Sequence, residues 1–370
     1  MKLLPYLKLI RIPNLPTVFV DVCAGYFVAS RSGLAGLSEP IGRSDITPMQ
    51  PLIILIISAM LLYAGGMANN DLQHEEKDWV LKKPRPIVQG LISSRSAFIV
   101  SIVGIFGGAL LANFALGGMA WIAYAIAICI YAYNSLSKGR RVDTSYIPPK
   151  RWQNVLGSVL MSLCRVGSVG MGVALGALVR ADGKQGDIDL SDPVIWIFLG
   201  TTLFYFLCVM SASLLEDFGG GKRALRALAA AVLVPIWTGP ILLAWLVYSD
   251  SYNEAAAWSY QSLTVWLTGS MNTDEIALAR ATWGTLARTV VPAGALLVAL
   301  TLLVQSRIWR AVKDPKPRNV GMIVKWSILG HVLLESAFVL QTHREFLPIG
   351  IALASVFVLC TFLGRFTYST

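Results

Sequence analysis

The chain has 370 residues, of which 55% are hydrophobic and 14% charged, with a net charge of +10. Soluble globular domains carry about 25% charged residues, and a mean hydropathy of +0.62 excludes that class. Apolar stretches long enough to cross the hydrocarbon core of a bilayer recur along the whole chain. The composition therefore indicates a polytopic membrane protein.

The apolar stretches predict an all-α fold, a transmembrane helical bundle of nine or ten spans within a single domain, 1–370. We expect a motif-bearing half, 1–226, and a second half, 227–370. Nine is the alternative count because the fourth stretch is short and the last two are nearly adjacent. The stretches are 14–30, 51–69, 97–116, 119–134, 154–180, 194–215, 227–249, 284–305, 321–341 and 346–364.

Basic residues concentrate on alternate loops, at the N-terminus and near positions 80, 145, 220 and 312. The loops between them are comparatively acidic. By the positive-inside rule the basic loops lie in the cytoplasm, which predicts an inner (plasma) membrane protein whose polar motifs face the cytoplasm. This placement also argues against nucleic acid as the partner of the basic residues.

The first span carries Asn14 near its predicted cytoplasmic end and Asp21 about two turns further in. Polar side chains at such depth are costly unless they face the interior of the bundle or a cavity. Either they form hydrogen bonds between helices, or Asn14 lines the same cavity as the next polar segment.

The segment 69–90 follows the second span and is unusually rich in charge. On a continued helix, Asp71, Glu75 and Asp78 follow at spacings of four and three, so their side chains share one face with Asn70. Carboxylates that converge at a membrane edge suit a hard cation such as Mg²⁺, and Arg85, between two prolines, suits a phosphate. An ordinary solvated loop face is the alternative.

Further polar residues stand at the predicted cytoplasmic ends of later spans. Tyr133, Asn134 and Lys138 follow the fourth span, where an interfacial aromatic beside basic residues is the alternative. Arg165 lies inside the fifth span and requires an anionic partner, either in the protein or in a ligand. In the ninth span His331 and Glu335 are four residues apart, so they can pair with each other.

The sixth span ends in Glu216 and Asp217, followed by three glycines and Lys222. Glycines allow a backbone to approach a phosphate closely. The segment lacks the spacing of a P-loop. The segment supports a phosphate site because it repeats the order of 69–90, in which acidic residues are followed by basic ones. Both segments lie on the same predicted side of the membrane.

Across roughly 8–340 these motifs resemble the UbiA superfamily of intramembrane prenyltransferases. The segment 70–78, read as NDLQHEEKD, resembles the family's NDxxDxxxD signature, and PRPIVQG at 84–90 resembles the tail that follows it. RIPN at 11–14 and YNSLSK at 133–138 resemble two further elements. The first helix and the run MSLCR at 161–165 resemble the EboC-type branch.

The resemblance implies a central cavity open to the cytoplasmic side, in which Mg²⁺ holds an isoprenoid diphosphate for attack by a hydrophobic or aromatic acceptor. It implies catalytic roles for Asp71, Asp78, Lys138 and Tyr133. The implied metal-binding residues are Asn70, Asp71, Asp78, Glu216 and Asp217. The implied substrate-binding residues are Asn14, Asn70, Arg85, Asn134, Arg165 and Lys222.

Two positions depart from the family pattern. His74 stands where an aspartate is usual, and neutral imidazole is a poor ligand for Mg²⁺. Gly221 stands where the second motif usually has its later acid. These departures motivate a second hypothesis, a catalytically altered UbiA-like protein that binds or transports an isoprenoid or lipid-like metabolite.

Overall fold

The computed structural model describes residues 3–31, 37–40, 47–80, 84–136, 140–142, 145–147, 150–181, 191–216, 221–247, 273–342 and 346–368. Within these ranges the chain is almost entirely helical. The helices are α1 (Leu3–Leu9), α2 (Leu15–Ser30), α3 (Met49–Gln73), α4 (Glu75–Val80), α5 (Ser94–Leu116), α6 (Trp121–Leu136), α7 (Arg151–Arg180), α8 (Pro193–Glu216), α9 (Lys222–Ala231), α10 (233–247), α11 (Thr273–Lys313), α12 (Pro317–Thr342) and α13 (Leu347–Tyr368). Two short antiparallel strands, β1 (Arg140–Val142) and β2 (Ser145–Ile147), form a hairpin between α6 and α7.

Nine stretches of the described chain are long and apolar enough to cross a membrane, and one of them, Ser94–Leu136, contains both α5 and α6. The Ser94 hydroxyl at the start of α5 donates to Glu75. Asn134 at the end of α6 accepts from Asn70 on α3. Because both ends of the stretch lie beside the end of α3, α5 and α6 are two crossings. The predicted all-α bundle is confirmed, and its helices match the predicted spans within a few residues at most ends.

We call the end of the bundle that carries the 69–90 segment the motif end. At the opposite end one buried acid, Asp192, joins three helices. Its Oδ2 accepts from Arg31 at 2.6 Å and from Arg180 at 2.7 Å, residues that end α2 and α7. Its Oδ1 accepts the Val194 backbone N–H at 3.0 Å and thereby satisfies a free donor at the start of α8.

Helices α2 and α7 approach each other along glycines. A Cβ built on Gly25 would lie 2.2 Å from the carbonyl oxygen of Val169, and a Cβ on Gly172 would lie 2.0 Å from that of Val22. Small residues allow such backbone contact between membrane helices. Helices α3 and α5 meet in the same way, at Gly65 and across the 104–108 stretch.

This contact yields a prediction. We expect Gly172→Ala to destabilise the folded protein by about 1–3 kcal/mol, because the obstructing atom is backbone and cannot swing aside. Gly170, two residues earlier on α7, has nothing within 4 Å of its ideal Cβ, so Gly170→Ala is the matched control and should be neutral or slightly stabilising. Thermal unfolding of both variants in detergent measures the difference, and equal midpoints would contradict the close contact.

Candidate functional site

The acids of 69–90 lie on a nearly continuous helix. Helix α3 ends at Gln73 and α4 begins at Glu75, yet the His74 N–H donates to the Asn70 carbonyl at 3.0 Å and the Asp78 N–H donates to the His74 carbonyl at 2.9 Å. The helical spacing is thus kept through the junction. Asp71 and Asp78, two turns apart, are both buried on the same side.

Arg85 bridges the two carboxylates. Its Nη1 lies 3.2 Å from Asp71 Oδ1, and its Nε lies 3.6 Å from Asp78 Oδ2. Pro86, the next residue, accepts the Leu91 backbone N–H at 2.9 Å, which closes a tight turn behind the arginine. The sequence predicted that Arg85 serves this site, and the structure places its guanidinium between the two predicted metal-binding acids.

A second cation reaches the same carboxylate from the N-terminal segment. Arg11 has a left-handed backbone conformation (φ 51°), which separates α1 from the turn that leads into α2. Its Nη2 lies 3.5 Å from Asp71 Oδ1. Sequence reasoning treated Arg11 as part of a motif and did not identify it as a partner of Asp71, because no local pattern joins residues 60 positions apart.

The chemistry of this site fits a hard divalent cation. Carboxylate and amide oxygens are the ligands that Mg²⁺ accepts, and Asp71, Asp78 and Asn70 supply them. Asp71 Oδ2 is buried and has no hydrogen-bond partner in the described part of the chain, so one ligand atom is available without breaking a contact. Asp71 Oδ1 and the Asp78 carboxylate face arginines, which would have to shift for all these oxygens to share one ion.

The predicted residues of the first and fourth spans lie nearby. Asn70 Nδ2 donates to Asn134 Oδ1 at 3.0 Å, and Tyr133 precedes Asn134 at the end of α6. On the other side Asn14 Nδ2 donates to the Tyr63 hydroxyl at 3.1 Å. Tyr63 was not predicted, since an aromatic residue in an apolar span carries no distinctive signal.

Arg165 is buried one layer deeper and has its anionic partner within the protein. Its Nη1 donates to Asp21 Oδ2 at 2.7 Å and its Nη2 donates to the Thr17 hydroxyl at 2.6 Å. The guanidinium carbon stands 5.7 Å from the centre of the Tyr63 ring and 5.2 Å from that of Phe206. Tyr63 therefore contacts both Asn14 and Arg165.

The remaining predicted residues are only partly placed. Glu216 ends α8 at the motif end, since α8 begins at the opposite end beside Asp192. Lys222 begins α9 and is exposed. Lys138 and Asp217 lie outside the described residues. Glu75, whose spacing predicted a shared face with Asp71 and Asp78, instead accepts a hydrogen bond from Ser94.

No family profile matches the sequence, and no curated protein matches it either. Two solved structures are similar. Digeranylgeranylglyceryl phosphate synthase is 14% identical, with a TM-score of 0.48 over 91% of this chain and 97% of that one. A UbiA homologue from Archaeoglobus fulgidus bound to DMAPP and Mg²⁺ is 15% identical, with a TM-score of 0.46 over 89% of this chain and 98% of that one.

Proposed function

We propose that the protein is a Mg²⁺-dependent prenyltransferase of the UbiA type, which transfers a prenyl group from an isoprenoid diphosphate to an aromatic or lipid-soluble acceptor. The observation that carries the proposal is the arrangement of Asp71 and Asp78, two buried carboxylates on one helical face with Arg85 between them. A diphosphate leaving group requires both cations and metal-binding carboxylates, and this arrangement supplies both.

Each residue has a role in this proposal. Asp71, Asp78 and Asn70 hold Mg²⁺, with Glu216 and Asp217 as the second acidic group, and bound Mg²⁺ would neutralise the charge of the departing diphosphate. Arg85, Lys138 and Lys222 bind the diphosphate oxygens. Asn14, Tyr133 and Asn134 line the cavity in which the acceptor approaches. Arg165 extends the positive potential towards that cavity while bound to Asp21.

The surroundings of the site serve the same chemistry. The proposed substrates are lipid-soluble at one end and charged at the other, so a site where a polar cluster meets apolar helices suits both parts. Exclusion of water protects a reactive prenyl group from hydrolysis. We further propose that the motif end faces the cytoplasm across the inner membrane, as the distribution of basic loops indicates.

A second candidate is a UbiA-like protein that binds or transports an isoprenoid or lipid-like metabolite without transfer. The observation that favours it is that Asp71 and Asp78 already have arginine partners. Such a cluster is electrostatically balanced without a metal ion. His74 and Gly221, which replace acids of the family motifs, point in the same direction.

The purified protein in lipid nanodiscs, supplied with prenyl diphosphates of several chain lengths and with candidate aromatic acceptors, distinguishes the two candidates. The transferase should release pyrophosphate only in the presence of Mg²⁺, and chelation should stop the release. If no chain length supports release while radiolabelled prenyl lipid still binds, the transferase proposal is wrong and the second candidate stands.

A further inference from the structure

A second cluster of ionisable side chains lies in the core of the bundle, where α2 meets α12. Asp21, His331 and Glu335 are each at most 1% exposed. One ligand atom from each lies within 4.8 Å of the others. The proposed transferase reaction uses none of the three, and ionisable groups buried within spans are costly unless they are functional or paired.

The histidine has a fixed orientation. His331 Nδ1 lies 2.5 Å from the carbonyl oxygen of Ile328, and a carbonyl oxygen only accepts hydrogen bonds, so Nδ1 carries the hydrogen. In a neutral ring Nε2 then presents its lone pair. That atom lies 2.6 Å from Asp21 Oδ1 and 3.6 Å from Glu335 Oε2.

Asp21 is held in a corresponding way. Its Oδ2 accepts from Arg165 at 2.7 Å, which leaves Oδ1 turned towards the histidine. In Asp21 and His331 the atom that faces away from the cluster therefore has a hydrogen-bond partner, while the atom that faces inward is an electron-pair donor. Metal-binding histidines and carboxylates characteristically have such outer partners, which fix ring tautomer and orientation.

Glu335 provides an independent observation. Both of its carboxylate oxygens are buried, and neither has a hydrogen-bond partner among the described residues. A buried carboxyl group whose oxygens lack hydrogen bonds costs free energy, and the cost is largest when the group is ionised. The carboxylate faces the two donor atoms described above, so a positively charged ligand between the three would remove this cost.

We propose that Asp21, His331 and Glu335 bind one divalent first-row cation, such as Zn²⁺, at a site distinct from the proposed Mg²⁺ site. One imidazole and two carboxylates form a mixed donor set that suits this class of ion. If each bond to a shared ion were about 2.1 Å long, the angle at the ion between Nε2 and Asp21 Oδ1 would be roughly 75°. The angle between Nε2 and Glu335 Oε2 would be roughly 120°. The two carboxylates balance the charge of the ion, and the positive charge of Arg165 remains over the Tyr63 and Phe206 rings.

Elemental analysis of the full-length protein, purified in detergent and freed of any metal-binding affinity tag, tests the proposal. We expect about one equivalent of a divalent first-row metal per chain. Glu335→Gln and His331→Asn should each lower the content at least tenfold. Ser336→Ala, next to Glu335 on α12, and Asp78→Asn, in the Mg²⁺ site, should keep the full equivalent.

Cobalt provides a test that needs no variant. If the metal is removed by a chelator and Co²⁺ is added, the wild-type protein should gain visible absorption bands with a one-to-one endpoint, and its unfolding temperature should rise. Wild-type protein that purifies without metal and binds no Co²⁺ would overturn the proposal, because a proton alone would then bridge His331 and Asp21. Retention of the metal by a folded Glu335→Gln variant and a folded His331→Asn variant would overturn it as well.

Discussion

Replacing Asp71 or Asp78 with alanine is expected to abolish Mg²⁺-dependent release of pyrophosphate. Each change removes a buried carboxylate from the site and leaves Arg85 without one of its partners. Loss of one group that stabilises developing charge typically lowers kcat by about 10²–10³-fold, and loss of a proposed metal ligand should cost at least as much. Initial rates at saturating prenyl diphosphate, with Mg²⁺ varied, measure the effect.

The controls for these variants separate chemistry from folding. Asp71→Asn and Asp78→Asn keep the shape of the side chain and should lose activity while retaining the wild-type unfolding temperature within a few degrees. His74→Asp places an aspartate where the motif that this segment resembles has one, and it should preserve or raise turnover. Wild-type activity in both alanine variants would contradict the proposed metal site at these residues.

Arg165→Met is expected to destabilise the protein by about 3–5 kcal/mol, since it leaves the buried Asp21 carboxylate without its cation. Asp21→Leu should destabilise the protein comparably, and the double variant should cost clearly less than the sum of the two. Unfolding in detergent by increasing fractions of SDS measures all four proteins as a double-mutant cycle. Any contribution of Asp21 to metal binding is lost in Asp21→Leu and in the double variant. Where that loss is the same in the two, it cancels, and the coupling energy measures only the ion pair between Arg165 and Asp21.

Arg151 is the matched control, because it lies on the same helix but is exposed. Arg151→Met should change stability by no more than about 0.5 kcal/mol. If Arg165→Met unfolds as the wild type does while its affinity for prenyl diphosphate falls, the pair with Asp21 is not structural. Arg165 would then act mainly on the diphosphate.

The spans were predictable because apolar stretches of bilayer length leave few alternatives. The structure extends several of them by a turn into polar residues. Thus α3 runs to Gln73 and α12 begins at Pro317, since intrahelical hydrogen bonds continue past the hydrophobic limit. Hydropathy alone does not detect that extension.

The partners within the candidate site were harder to predict. The helical period correctly brings Asp71 and Asp78 to one side, because that relation is local. The sequence required an anion for Arg165 but left open whether the protein or a ligand supplies it. Asp21, the partner in the structure, is 144 positions away. Glu75 also follows the helical period, yet its carboxylate accepts a hydrogen bond from Ser94 of the next helix. Tertiary contacts decide these cases.

The glycine contacts between α2 and α7 and between α3 and α5 also bear on how the proposed lipid substrate would enter. Each pair has backbone against backbone, so neither can separate without losing close packing along its length. At the motif end the two pairs meet through side chains, Arg11 with Asp71 and Asn14 with Tyr63. These are single side-chain contacts, without the close backbone packing found within each pair. We therefore expect the bundle to open by a tilt of the rigid α2–α7 pair against the rigid α3–α5 pair. The two pairs would separate at the motif end and stay in contact at the opposite end.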